Sequence, residues 1–509
     1  MKLSMTEMRN KVLGCWMGKN IGGTLGAPFE WKRQVNDVTF YTQKLGGEPL
    51  PNDDLDIQLI WLVALEQRGI RLTEHDLAEY WCHYVTPHWV EYGTGKMNMR
   101  MGMPPPLSGD YHNDFRDSCG SYIRTEIWAC IAPGDPLRAA QYAYMDSILD
   151  HGHGEGTWAA LFTAALESAA FVISDLKELI NIGLTYIPAD CGVARVVRRV
   201  LECHEKGTDW REVREVILRE FRGSTFLGWN CNISDEDRRK GYDKGKLGWD
   251  APSNIGIYVL GLLYGGGDFE KMMCITVNCG EDTDCTAATA GSIWGIIHGF
   301  DKIPQKWIEP IGHGIKTVAI NMGDIGWNIP KDVDNLTDRT MNIQRVVLHT
   351  GRRPLWVENG TEVLELGDTN PARFRCADQN SIAQGFPNGP TFRHGPLLVT
   401  FDYDTDAFVR PGQPKRLRVA IRNTDIIQLN LTLHWYLPEG VTVTGGPDAL
   451  VSLMRSNIGT TAQKTLTFEF NFEKAPASKT RAVLELAAEG LPIVMLAPAI
   501  FFNGAHEQA

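Results

Sequence analysis

Residues 278–299 read NCGEDTDCTAATAGSIWGIIHG, and within them Gly280-Glu281-Asp282-Thr283-Asp284-Cys285-Thr286 joins a glycine turn to a run of small and apolar residues. The run has the texture of a buried helix. Asp282 and Asp284 then stand at a helix N-terminus, where carboxylates satisfy free N–H groups and oppose the helix dipole. The same Asp-x-Asp spacing also presents hard oxygen donors to Mg²⁺, Mn²⁺ or Ca²⁺. Capping alone accounts for one such pair. A second cluster far upstream, Asn52-Asp53-Asp54-Leu55-Asp56, also opens an apolar helical run, and two acid clusters at two helix mouths move the balance towards a bound cation.

The upstream helix is expected over Ile57–Gln67. Its segment Leu59–Leu65 is apolar almost all round, which makes it central. Three carboxylates at the mouth of a buried helix are costly unless a cation or open solvent compensates them. Residues 5–21 form an earlier helical pattern, with Met8, Val12, Leu13, Trp16 and Met17 at helical spacing. GKNIGGTLGAPFE (18–30) follows, and its glycine density permits close backbone approach of another helix or a ligand. No Gly-Lys-Ser/Thr ending is present and no strand precedes it, so it is not a phosphate loop. On its own, Glu30 reads as a solvated loop carboxylate.

Residues 100–120 read as a long loop with three consecutive prolines, and long loops in compact domains are often binding loops. The segment 120–171 reads as helix, Gly-Asp-Pro break, helix, His-rich turn, helix. His151 and His153 lie in that turn, where capping is their plain role. Helices are expected at 175–186, 191–206, 209–222 and 255–263, with Asp268–Cys279 leading into the opening stretch. The intervening loop, 223–254, carries Trp229, Tyr242 and Trp249, aromatics suited to a ligand edge or to packing on the helices. Strands do not alternate with helices here, so residues 1–335 read as an all-α domain. Beyond it, strands are expected at Gln344–His349, Leu397–Tyr403, Leu417–Arg422, Leu429–Tyr436, Val441–Val443, Thr465–Phe472, Arg481–Ala487 and Ile493–Phe502. Residues 336–509 therefore read as an immunoglobulin-like antiparallel β-sandwich, without a Cys-Trp-Cys core and without a catalytic constellation.

The 509 residues exceed one ordinary core. Hydrophobic and charged contents of 43% and 22% are those of a soluble globular chain. A net charge of −12 with no long basic run argues against a nucleic-acid surface. The eleven cysteines are scattered, with neither zinc-like spacing nor a disulfide framework, which fits free thiols in a reducing cytoplasm. No signal peptide and no membrane span are read from the sequence.

Taken together, GGTLGAPFE (22–30), NDDLDIQL (52–59), the GSYIR…APGDP…DSILDHGHGEG stretch (120–156) and GGDFEKMMCITVNCGEDTDCTAATAGSIWG (266–295) resemble the ADP-ribosylglycohydrolase family, in order and spacing, over more than half of the chain. The resemblance implies an all-α globule with a metal centre that cleaves a glycosidic bond at C1 of ribose. One or two Mg²⁺ ions are implied, with Ca²⁺ or Mn²⁺ as alternatives. The family's first metal motif falls on Asn52, Asp53 and Asp54, and its second on Asp282, Asp284 and Cys285. Its mobile or catalytic glutamate falls on Glu30, and Asp54 and Asp284 are implied as further catalytic groups. Its substrate-facing Gly-Asn-Gly loop falls on Ser118, Cys119 and Gly120. The His-x-His turn falls on His151 and His153, with Glu155 following. Asn52 and Cys285 stand where the family has threonine. An asparagine still offers a carbonyl oxygen to a hard cation, whereas a thiol is a poor Mg²⁺ ligand.

The chemistry implied is water attack through an oxocarbenium-like transition state. Three substrate readings follow: an ADP-ribosylated acceptor; another sugar conjugate or oligosaccharide, which the added sandwich and aromatic loops favour; and a ligand held without turnover. No nucleic-acid or membrane partner is expected, and the sandwich offers a surface through which copies of the chain would associate.

Overall fold

The computed structural model describes residues 2–222, 235–239, 249–350, 355–358, 360–365, 369–382, 388–410, 412–457, 462–492 and 494–504. Two helices, Met5–Gly26 and Thr283–His298, set the helical part. Glycines recur every fourth residue on the first, at 14, 18, 22 and 26, and so lie on one face. A Cβ at Gly14 would sit 2.6 Å from the Gly295 carbonyl oxygen, one at Gly18 2.1 Å from that of Gly291, one at Gly22 2.2 Å from that of Ala287, and one at Gly26 2.3 Å from that of Thr283. The pairing runs antiparallel, backbone against backbone. The Thr283 hydroxyl closes its end by donating to the Gly26 carbonyl at 2.8 Å. The glycine run thus serves a partner helix, and it delivers the Pro28–Glu30 segment to the mouth of the Thr283 helix.

The Asp53–Arg68 helix is capped by Asn52, whose Oδ1 accepts from the Asp54 N–H at 2.7 Å. Gly23 leaves room for the Asn52 side chain, since a Cβ there would meet its Nδ2 at 1.7 Å. Residues Leu55 to Leu65 are buried throughout, as the unbroken apolar run requires.

The strand expected at Gln344–His349 is instead the last part of a helix, Val333–Thr350. Its buried residues Leu336, Thr340, Met341, Gln344, Val347 and Leu348 keep a helical period. The adjacent β-branched Val346 and Val347 imitate a strand over a short window only. Gln344 Nε2 donates to the Cys130 carbonyl at 2.6 Å and ties this helix to Glu126–Ile131.

Beyond it the chain is β-rich. One five-stranded sheet runs Asp448–Leu453, Leu429–Tyr436, Lys479–Ala488, Val494–Asn503, Phe408–Val409. The other runs Thr391–His394, Leu397–Asp402, Lys415–Asn423, Gln463–Phe472, Val441–Val443. All pairings are antiparallel except that of Val494–Asn503 with Phe408–Val409. Alternate residues such as Leu417, Val419 and Ile421 turn inwards to meet Trp435, Phe470 and Phe501, the arrangement of a sandwich. Met103 and Leu107 of the proline-rich segment belong to this same core and join the sandwich to the helices. A further small sheet links the chain's beginning to its middle: Lys2–Ser4 pairs with Thr361–Glu365, which pairs with Leu355–Glu358.

An Ala at an exposed helical glycine would raise stability by roughly 0.5–1 kcal/mol. At Gly18 or Gly22 the added methyl must displace backbone, so Gly18→Ala is expected to lower unfolding stability by about 1–3 kcal/mol. A urea midpoint for Gly18→Ala at or above wild type would contradict the backbone-to-backbone packing.

Candidate metal centre

The glycine ladder brings the end of the first helix to the N-terminus of the Thr283 helix, and Asn52 brings in a third element. Gly280, at φ 73°, turns the chain against the carbonyls of Lys32 and Gln34. Glu281 is fully buried beside Arg33 and Arg222. Burial opposes its charge, but Arg222, Arg33 and Arg214 hold its carboxyl below the usual range. Glu281 is therefore an anchor of the turn.

Asp282 occupies the N-cap position, yet its side chain accepts no N–H from the helix. Its Oδ2 instead accepts from the Cys119 thiol at 2.7 Å, and its Oδ1 is buried without a partner. Asp54 Oδ1 accepts from the Cys285 thiol at 3.3 Å, while Asp54 Oδ2 and Asp284 Oδ1 are likewise buried and unpartnered. Asn52 thus caps the Asp53–Arg68 helix, while the Asp282 side chain leaves the start of the Thr283 helix uncapped. Three donor sets converge, each within 4.8 Å: Glu30 with Asp282 and Asp284; Asp54 with Asp284 and Cys285; and Cys119 with Asp282 and Cys285.

Their protonation follows from this crowding. Burial above all, then the charges of Asp284 and Asp53, push Glu30 up to about 9. Burial and Asp284 push Asp53 up to about 6. Asp54, Asp282 and Asp284 are raised too, with burial the largest cause. Lys19 is the nearby counter-charge, but its ammonium is engaged by Glu126 at 2.7 Å. Orphaned buried oxygens and mutually repelling carboxylates are the environment that a divalent cation relieves, so the residues present fit one.

The substrate-side residues divide. Ser118, Gly120 and His151 come together: His151 Nε2 is 3.2 Å from Ser118 Oγ, and its Nδ1 is 2.8 Å from Asp150 Oδ1. Buried Arg124 holds this group, donating to Asp146 at 2.8 Å, Asp150 at 2.7 Å and the Gly120 carbonyl at 2.5 Å. His153 and Glu155 face elsewhere. His153 Nδ1 is 2.7 Å from Asp110, and the Glu155 carboxylate accepts from the N–H groups of Gly192 and Val193 at 2.6 and 3.0 Å.

Two neighbours, Glu91 and Tyr92, carried no signal on their own. Glu91 lies against Gly120, where a Cβ would come within 2.1 Å of its Oε1. Burial chiefly raises Glu91 to about 7. Tyr92 reaches Asp53 Oδ2 at 3.5 Å. Asp56 is turned away, accepting from Val318 and Ala319 N–H at 2.6 Å each, and so serves as a structural clamp. Trp249 packs edge-on to Trp31 at 4.5 Å, beside Glu30. Trp229 and Tyr242 lie outside the described residues.

Fold and site define a class: a helical globule with buried carboxylates gathered at two helix mouths, extended by a β-sandwich. The family described as ADP-ribosylglycohydrolase matches residues 4–343, and the chain belongs to that family. Among solved structures it is similar to one titled "ADP-ribosylglycohydrolase-related protein complex", at 18% identity and a TM-score of 0.42, over 67% of this chain and 99% of that one. No curated protein matches. No helix among the described residues is long and apolar enough to cross a membrane.

The raised carboxyls set a pH dependence. Unfolded carboxyls titrate near ~4, so the folded, cation-free protein binds more protons than the unfolded chain. Its stability should therefore fall as pH rises through about 6, where Asp53 titrates, towards about 9, where Glu30 does. Thermal melts of chelated protein are expected to show this loss, and added Mg²⁺ or Mn²⁺ should raise the midpoint more at pH 9 than at pH 6. An equal cation shift at both pH values would remove the carboxylates from the binding site.

Proposed function

We propose that this chain is a divalent-cation-dependent hydrolase of a glycosidic bond at the anomeric carbon of ribose or a related sugar. The observation that carries this is the convergence of Asp54, Asp282 and Asp284, each with an unpartnered buried oxygen, beneath the half-buried Glu30. Asp53, Asp54, Asp282 and Asp284, with Asn52 and Cys285 at the margins, would hold one or two ions, Mg²⁺ first and Mn²⁺ or Ca²⁺ as alternatives. Such an ion supplies orientation of sugar hydroxyls and acidification of water.

The chain's own groups do the rest. Glu30, pushed up to about 9 in the bare cluster, keeps a proton near neutrality at a partly open position. That suits transfer of a proton at its carboxyl oxygen to the departing group, or removal of one from the attacking water once its carboxyl is ionised. Asp54 and Asp284 fix the water opposite the scissile bond and oppose the positive charge that develops on the sugar ring. Ser118, Gly120 and His151, rigid through Arg124, form a wall for the sugar and its leaving group. His153 and Glu155 shape that wall from behind, by fixing the turn before the Glu155–Ala170 helix. The free thiols of the described cysteines fit a reducing, cytoplasmic setting.

A second reading keeps the site and changes the substrate to another sugar conjugate or oligosaccharide. The Trp31–Trp249 pair beside Glu30 favours it, because the electron-rich face of an indole suits the C–H face of a sugar. Release of ADP-ribose from a modified protein and release of sugar from a panel of glycosides separate the two. Release from either should stop on chelation. Asp284→Asn should lower it by about 10²–10⁴-fold, and Glu30→Gln by a comparable factor. Turnover indifferent to chelator and to Asp284→Asn would overturn the proposal. Cation and sugar binding without any turnover would leave a binding protein.

A further inference from the structure

The centre contains two kinds of donor in two places. Glu30 with Asp282 and Asp284 is an oxygen-only set, and Glu30 is its half-buried outer member. Cys119 with Asp282 and Cys285 is a sulfur-rich set whose members are all buried, at 5%, 7% and 7% exposure. Cys119 and Asp282 come from loops 163 residues apart, and their atoms already meet at 2.7 Å. Cys285 belongs also to the set with Asp54 and Asp284, so its sulfur lies between the two positions. Asp282 Oδ1, the other oxygen of the carboxylate that meets Cys119, is buried and has no partner.

Two thiols and a carboxylate within one coordination sphere are a poor cradle for a hard cation and a good one for a borderline cation of the Zn²⁺ type. From this we infer that the inner position is a thiolate-carboxylate site for such an ion, held by Cys119, Cys285 and Asp282. The oxygen-only set remains for a hard ion. The inference rests on the reading of this cluster as a cation centre, and adds that the centre is split by donor chemistry. Binding at the inner position exchanges two S–H protons for two metal–sulfur bonds, with the protons released to solvent and no change of oxidation state.

The test uses the full chain, reduced and freed of metal by chelation. Co²⁺ is the spectroscopic probe and Zn²⁺ the calorimetric one, each titrated with and without saturating Mg²⁺. Sulfur-to-cobalt charge-transfer absorption is expected, with release of at least about two protons per ion in weakly buffered solution. Cys119→Ser and Cys285→Ser, which nearly preserve shape, should each weaken Zn²⁺ binding at least about tenfold. Mg²⁺ binding should change little. Co²⁺ bound without a sulfur band, or Zn²⁺ affinity unaltered in both variants, would overturn the inference. In that event, Mg²⁺ binding with chelator-sensitive turnover would leave the proposed hydrolase standing. The converse, a sulfur band with no turnover on any substrate, would sink the hydrolase and keep the site.

Discussion

Everything in the helical part depends on two helices touching without side chains between them. Gly14, Gly18, Gly22 and Gly26 face Gly295, Gly291, Ala287 and Thr283, and each added methyl would meet a carbonyl. Such contact replaces the usual 8–10 Å helix spacing with a closer one. Dispersion between the backbones is gained along the whole ladder, while no side-chain rotamer is frozen. The more consequential effect is positional. A side-chain-mediated interface tolerates sliding, whereas an interlocked backbone does not, so the Glu30 loop and the Asp282 turn are placed against each other with little freedom.

That rigidity is what makes the acid cluster sustainable. Carboxylates so close together would relax apart on a soft scaffold. Here Asn52 is seated on Gly23, Glu281 is clamped between arginines, and Arg124 fixes the Ser118–Gly120 loop through Asp146 and Asp150. Asn52 is a neutral anchor and the other two are ion pairs. Around the cluster, Asp53, Asp54, Asp282, Asp284 and Glu30 stay without such a partner, and burial in a fixed frame raises their proton affinity. A site of this kind is preorganised for a cation in the sense that the free energy of gathering the ligands has already been met by folding.

What was legible in the sequence tracks what is local. Acid clusters opening apolar helices, a dense glycine run and alternating strands each carry a short-range signal, and each has its counterpart in the structure. The glycine density alone left open whether a helix or a ligand approaches, and only the pairing with Gly291 and Gly295 decides it. Long-range chemistry was not legible. Nothing near Cys119 announces that its sulfur touches Asp282, and Glu91 looks like any helix-start glutamate until Gly120 lets it in. Val346 and Val347 misled because two β-branched residues outweigh a helical period when the window is short. Glu155 stood in a suggestive motif, yet its carboxylate is directed at the N-terminus of a later helix, Gly192–Glu205, a destination set by tertiary packing.

The ladder also bears on how the chain is made. Gly26 and Thr283 meet across 257 residues of sequence. At a synthesis rate of ~5–20 residues per second, the first helix waits for its partner for roughly ten seconds to a minute. During that interval its glycine face has nothing to interlock with, and its Trp16 and Met17 flank is exposed. The Lys2–Ser4 strand waits longer still, until Thr361–Glu365 has been made. The acid cluster waits on the same long-range contact, because Asp53 and Asp54 are made long before the Asp282 turn that completes it.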